Sequence, residues 1–233
     1  MSLLHVVVAV SIRDMFKLLG CLLLSVLPAT AYAESPVRVI ASDPGGTVLE
    51  LLIQDPQITD AGQGYVSVSL PEFQSIARPG DPALPVTGVL VGIPEGGRFS
   101  YEVIVAEYRE IDGLRPAPAP TVASGPGETL VPVLLEGDPY LDTVLFPPAT
   151  VQEGTSGAIR NQEVAQLLFH PVLFDPVRDT LRIYTRIQVM VRFAMNDGVL
   201  TKATLPWDGG MLTGRPFESL LSGTLVNYPA LER

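Results

Sequence analysis

From Leu181 to Phe193 the chain alternates without a break. The odd positions are Leu181, Ile183, Thr185, Ile187, Val189, Val191 and Phe193, and the even ones Arg182, Tyr184, Arg186, Gln188, Met190 and Arg192. Side chains on a strand point to opposite faces with period two, whereas a helix would scatter this apolar set around its circumference. The pattern therefore predicts a long strand with one buried face and one arginine-rich face. A second apolar run, Val164 to Phe174, precedes it, and Asp175-Pro176-Val177-Arg178-Asp179 between them is turn chemistry. The pair reads as a long β-hairpin, with Pro171 placing its first strand at an edge or a bulge, because proline cannot donate to a ladder.

Shorter apolar runs bounded by glycine and proline are read as further strands: Thr47–Ile53, Tyr65–Leu70, Val86–Ile93, Tyr101–Tyr108 and Leu130–Leu135. No 3.6-residue pattern separates them, so the expected fold is all-β, an antiparallel β-sandwich rather than βαβ units. A short helix is expected near Phe217–Leu221, with Arg215-Pro216 at its start. Two connections, Gly113–Thr129 and Gly137–Asn161, lack periodicity and read as long loops rich in proline and glycine. Loops of that length in a compact domain tend to carry function.

At the other end, Lys17, the ten-residue apolar run Leu18–Leu27 and the small-x-small ending Ala31-Tyr32-Ala33 form a secretory signal peptide over residues 1–33, with Met15 as an alternative start. The run is too short to span a bilayer core, which needs ~20 residues. Leu18-Leu19-Gly20-Cys21 also matches a lipoprotein box, although a start at Met15 leaves little apolar sequence before Cys21. Cleavage after Ala33 removes the only cysteine and His5, leaving His170 as the sole histidine. A Cys/His dyad is then impossible within residues 34–233, as are a disulfide framework and a Cys or multi-His zinc site. Asp138, Asp142, Asp175 and Asp179 fit no calcium-loop spacing, so no metal or cofactor is expected. His170, before a proline in an apolar run, reads as packed rather than catalytic. A formal net charge of −10 argues against nucleic-acid binding, which rests on neutralising phosphates.

Three segments carry a family resemblance. Pro79-Gly80-Asp81-Pro82-Ala83-Leu84-Pro85-Val86 leads into Val89-Leu90-Val91-Gly92-Ile93-Pro94-Glu95-Gly96. Later, His170-Pro171 and Phe174-Asp175-Pro176 precede Leu181-Arg182-Ile183-Tyr184, and Leu225-Val226-Asn227-Tyr228 lies near the C-terminus. Together they resemble the N-terminal propeptide domain of gingipain-type (C25) cysteine peptidases, over roughly residues 34–228. Phe174-Asp175 stands where the family more often has Tyr-Asn. No catalytic residue of the family has a counterpart here.

The resemblance implies a secreted, periplasmic or cell-surface prodomain of a Gram-negative bacterium that chaperones and inhibits its peptidase. The implied partner is a cognate C25 peptidase domain, engaged by a monomer with no nucleic acid and no membrane span after signal cleavage. Residues 34–200 would form the β-sandwich, and 201–233 a linker toward a catalytic domain. Such enzymes favour Arg or Lys before the cut, and Lys202 is the only lysine after residue 33, so an arginine is the expected bait. Arg115 in the proline-rich loop is the first candidate and Arg160 the second, read otherwise as a solvated loop cation and a strand-start charge. Arg115→Ala is expected to leave thermal stability unchanged. Arg182, Arg186 and Arg192 form a basic stripe suited to docking carboxylates, or else to cross-strand pairing with Glu102 and Glu107. Two other functions compete: a β-sandwich module binding carbohydrate or cell surface, with Trp207 as a stacking platform, and a glycosidase using paired carboxylates.

Overall fold

A computed structural model describes residues 35–43, 45–94, 96–124, 130–160, 162–195 and 215–231. Residues 1–34, with His5 and Cys21, and the stretch holding Lys202 and Trp207 lie outside those residues. In chain order the strands are β1 (Val37–Asp43), β2 (Gly46–Leu52), β3 (Gln57–Gly62), β4 (Tyr65–Ser69), β5 (Gln74–Ser75), β6 (Pro85–Ile93), β7 (Gly97–Asp112), β8 (Thr121–Ser124), β9 (Leu130–Val133), β10 (Val151–Ile159), β11 (Gln162–Phe169), β12 (Val172–Asp175) and β13 (Thr180–Met195). They are followed by helices α1 (Arg215–Thr224) and α2 (Tyr228–Leu231).

The predicted long strand is β13, and the first sheet is organised on it. One edge of β13 pairs with β7 from Thr180 to Met195, while the other is shared by β12 and β2, with β1 outside β2. A second sheet runs β10-β11-β6-β5, and β3-β4 and β8-β9 form separate two-stranded ladders. The ladders are antiparallel throughout, as expected for a sandwich. Between the sheets lie Leu49 and Leu51 of β2, Val91 of β6, Leu167 and Phe169 of β11, and Ile187, Val189 and Val191 of β13, each fully buried. Each such side chain contributes about 1.5–3 kcal/mol relative to exposure. That burial holds the fold together.

The alternation along β13 serves two cores rather than one face. Its pairing with β7 slips by one residue between Tyr184 and Arg186, leaving Thr185 unpaired in that ladder. Such a bulge reverses which face the following residues present. Leu181 and Ile183 thus pack with Val172, Phe174 and Tyr140 in a second core, whereas Ile187 to Phe193 and Tyr184 belong to the first.

The run Val164–Phe174 is not one arm of a long hairpin. It divides at His170-Pro171 into β11 of the second sheet and the short β12 of the first, so Pro171 marks the crossing between sheets, where a missing N–H costs no ladder bond. The turn Asp175–Asp179 does close a hairpin, β12–β13. The region read as the loop Gly137–Asn161 contains β10, a mostly exposed edge strand whose polar sequence carries no alternation of its own. Helix α1 spans the predicted helical position, and its Leu221 joins Leu225, Tyr228 and Leu231 in a third cluster against Val164, Leu90 and Ile159 of the second sheet.

Candidate functional site

The basic stripe is paired across the first sheet. Arg182 Nη2 donates to Glu110 at 2.9 Å and lies 4.5 Å over the Tyr108 ring. Arg192 donates to Glu102 at 2.8 Å, and Arg186 to Glu107 at 3.2 Å and to Glu50 at 3.0 Å. Glu50 is buried and also accepts from Gln188 at 2.8 Å and Arg38 at 2.9 Å. These donors, Gln188 first, hold its carboxyl down at about 2. Each of the three stripe arginines therefore has a carboxylate of the same sheet as its partner, the pairing named for Glu102 and Glu107.

Arg115 is built into the body. Its loop runs as an extended segment between β4 and residues 80–83. Val66 donates to the Arg115 carbonyl, Ala117 to Val66, and Ala83 to Ala117, all within 2.8–2.9 Å. The Tyr140 hydroxyl donates to Pro116 O at 2.7 Å. The Arg115 guanidinium donates to Glu136 at 2.6 and 2.9 Å and also to Asp179, and it sits 5.1 Å over the Tyr140 ring. Glu136 is held below the ordinary carboxylate range mainly by that pairing. The expectation of a solvated loop cation is corrected: the side chain is only 27% exposed and ties three loops together. Proline-rich sequence gave no sign of this, because the partners lie 21 and 64 residues away.

Beyond Arg115 the same loop leads into the β8–β9 ladder, half of which lies in the stretch Gly113–Thr129 read from the sequence as loop. Among the described residues the two strands pair with each other and with no further strand. Val122 and Leu130 are 66% and 67% exposed, with Val131 and Leu135 also open to solvent. An isolated two-stranded ladder is marginal alone, and clustered exposed apolar side chains mark interaction sites. Arg160 lies elsewhere, exposed at the β10–β11 turn with φ of +55°.

His170 borders a groove of about 320 Å³ bounded also by Ile76, Arg78, Asp81, Phe146 and Pro148. Burial pushes its imidazole down to about 4, so it is neutral at neutral pH, and Nε2 is buried without a partner. Among the described residues, those lining this groove include no hydroxyl or thiol nucleophile. The packed reading of His170 agrees with this arrangement.

Comparison with known proteins places this geometry. A family model described as Propeptide_C25 matches residues 33–205. Gingipain R2 from two strains of Porphyromonas gingivalis is 25% and 24% identical over 206 residues. The match covers 87% of this chain and 27% of those proteins, so the chain spans about a quarter of their length. A solved complex of Porphyromonas gingivalis RgpB pro- and mature domains aligns with TM-score 0.66 at 22% identity, covering 84% of this chain and all of that one. A structure described as giving insight into the zymogenic latency of gingipain K aligns at 0.55 and 19%, covering 70% and 96%. At those identities the two structures speak for the fold.

Proposed function

The chain belongs to the Propeptide_C25 family, and from that premise we propose that it is a secreted prodomain that helps a C25 cysteine peptidase fold and holds it latent. A propeptide domain is not the peptidase itself, so the protein acts by occupying its partner's cleft. The observation that carries this reading is the β8–β9 ladder, whose apolar side chains are exposed beyond a loop hydrogen-bonded to β4 and residues 80–83. A rigid scaffold presenting an extended hairpin loses little entropy on docking, which favours tight association over a modest area.

Arg160 and Arg115 are the basic side chains proposed for the peptidase's acidic pocket. Arg160 stands at an exposed turn, and Arg115 would have to leave Glu136 and Asp179 to enter that pocket. The paired arginines 182, 186 and 192 would contribute a docking face only as mixed Arg–Glu surface. Residues 1–33 are proposed to direct export to the periplasm or cell surface, with 34–200 as the inhibitory body, acting as a monomer.

Titrating purified residues 34–233 against an active C25 peptidase tests the reading. Complex formation and loss of peptide hydrolysis at micromolar concentration are expected. Undiminished hydrolysis with no complex would overturn it.

A further inference from the structure

Strand β6 is covered on one edge by β11 from Thr87 to Ile93, but β5 covers the other edge only at Pro85 and Val86. An open edge presents unpaired N–H and C=O groups, a template for any extended segment. Here the template is filled by the chain's own C-terminal part. Leu225 forms a parallel bridge with Leu90, and Val226 N–H donates to Leu90 O at 3.0 Å. One step along, a side chain takes over the backbone's role. Gly92 N–H donates to Asn227 Oδ1 at 2.8 Å, and Asn227 Nδ2 donates to Gly92 O at 2.9 Å. The asparagine amide thus reproduces both bonds of a paired peptide group, in a setting where Asn227 is 1% exposed. A buried amide satisfied on both sides is favourable, whereas either group left alone is costly.

The surrounding packing is equally particular. Leu221, Leu225, Tyr228 and Leu231 bury their side chains against Val164, with Leu90 and Ile159 at the margin. Gly92 makes the close approach workable: a Cβ there would stand 2.4 Å from Leu231 Cδ1 and 3.1 Å from Leu225 Cδ1.

We propose that the open edge of β6 is a peptide-binding site whose resident ligand is the segment 215–231 of the same molecule, a non-covalent clip recognised by Asn227 and its three flanking leucines. All the contacts named lie within that segment and the second sheet, so the clip holds without help from the covalent connection to β13. Asparagine is specified by chemistry: aspartate lacks the donor facing Gly92 O and brings a charge into a buried site. The inference stands apart from the prodomain reading, since its test involves no peptidase.

The test is a nick. A site-specific protease sequence inserted between Gly209 and Gly210 of the full chain lets the connection be cut after folding. Gel filtration at micromolar concentration is expected to return the C-terminal fragment with the body, at the monomer volume. Asn227→Asp is expected to weaken retention at least a hundredfold. Leu231→Ala, which removes apolar contact and no hydrogen bond, should weaken it at least tenfold and guards against misfolding of the first variant. Loss of the unsubstituted fragment at that concentration would overturn the proposal. So would full retention in both variants, or elution as a dimer with clips exchanged between copies.

Discussion

A guanidinium in a loop of alternating prolines ordinarily belongs to water, and its removal then costs nothing. Arg115 instead bonds Glu136 and Asp179 while lying over Tyr140, where it joins three loops distant in sequence. Because the site is part-exposed, solvent screening lowers what the pairs contribute. Arg115→Ala is expected to lower stability in urea by about 1–2 kcal/mol. Arg115→Lys should recover only part, since an ammonium cannot span two carboxylates as a planar fork does. A single-residue pH effect belongs to His170. Its folded-state value of about 4 lies below the ordinary 6.5, so the neutral form is favoured by folding. That contribution is complete above 6.5 and is lost as pH falls toward 4. Glu50, Glu110, Glu136 and Asp175 are also held low, but from ordinary values of 4.5 or less, so they weaken the fold only at more acid pH. Between pH 6.5 and 5, urea midpoints of residues 34–233 should therefore fall for the wild type and stay level for His170→Phe.

Elements differed in how far the sequence announced them. Strands β2, β4, β6, β9 and β13 carry their own apolar signal and lie within a residue or two of the expected places. Strand β10 has almost no signal, because its order comes from β11 beside it. The bulge at Thr185 is invisible for a subtler reason. An unbroken alternation suggests one buried face, yet one extra residue in β13 against β7 turns the same alternation toward two cores. Arg115 and Asn227 were beyond reach because each depends on residues distant in sequence. The β8–β9 ladder shows the converse, an element with apolar sequence that the fold leaves uncovered. Val122→Ser combined with Leu130→Ser is expected to leave stability within about 0.5 kcal/mol, since exposed positions contribute little to folding. The same pair should weaken association with a C25 peptidase at least tenfold, read as the inhibition constant. Unchanged inhibition would move the contact surface away from this arm.

At the scale of the folded body, two strands reach both main cores: β12, with Leu173 in one and Val172 and Phe174 in the other, and the long β13. β13 lends Leu181 and Ile183 to the core around Phe174, and Ile187 to Phe193 to the core around Leu49. No cysteine follows residue 33, so the linkage between the cores is packing and ladder alone. Two cores sharing a continuous backbone cannot lose one without exposing part of the strand that completes the other, so they should melt together. Leu49→Ala removes a fully buried side chain from the first core and is expected to cost about 2–5 kcal/mol. Phe174→Ala does the same in the second at about 3–5 kcal/mol. Each should shift a single transition in which far-UV circular dichroism and amide exchange in β2 and β12 move as one, with the urea slope unchanged. If instead Phe174→Ala released the β12 amides while those of β2 kept their protection, the two cores would be separate folding units, and the bulge in β13 would be the hinge between them.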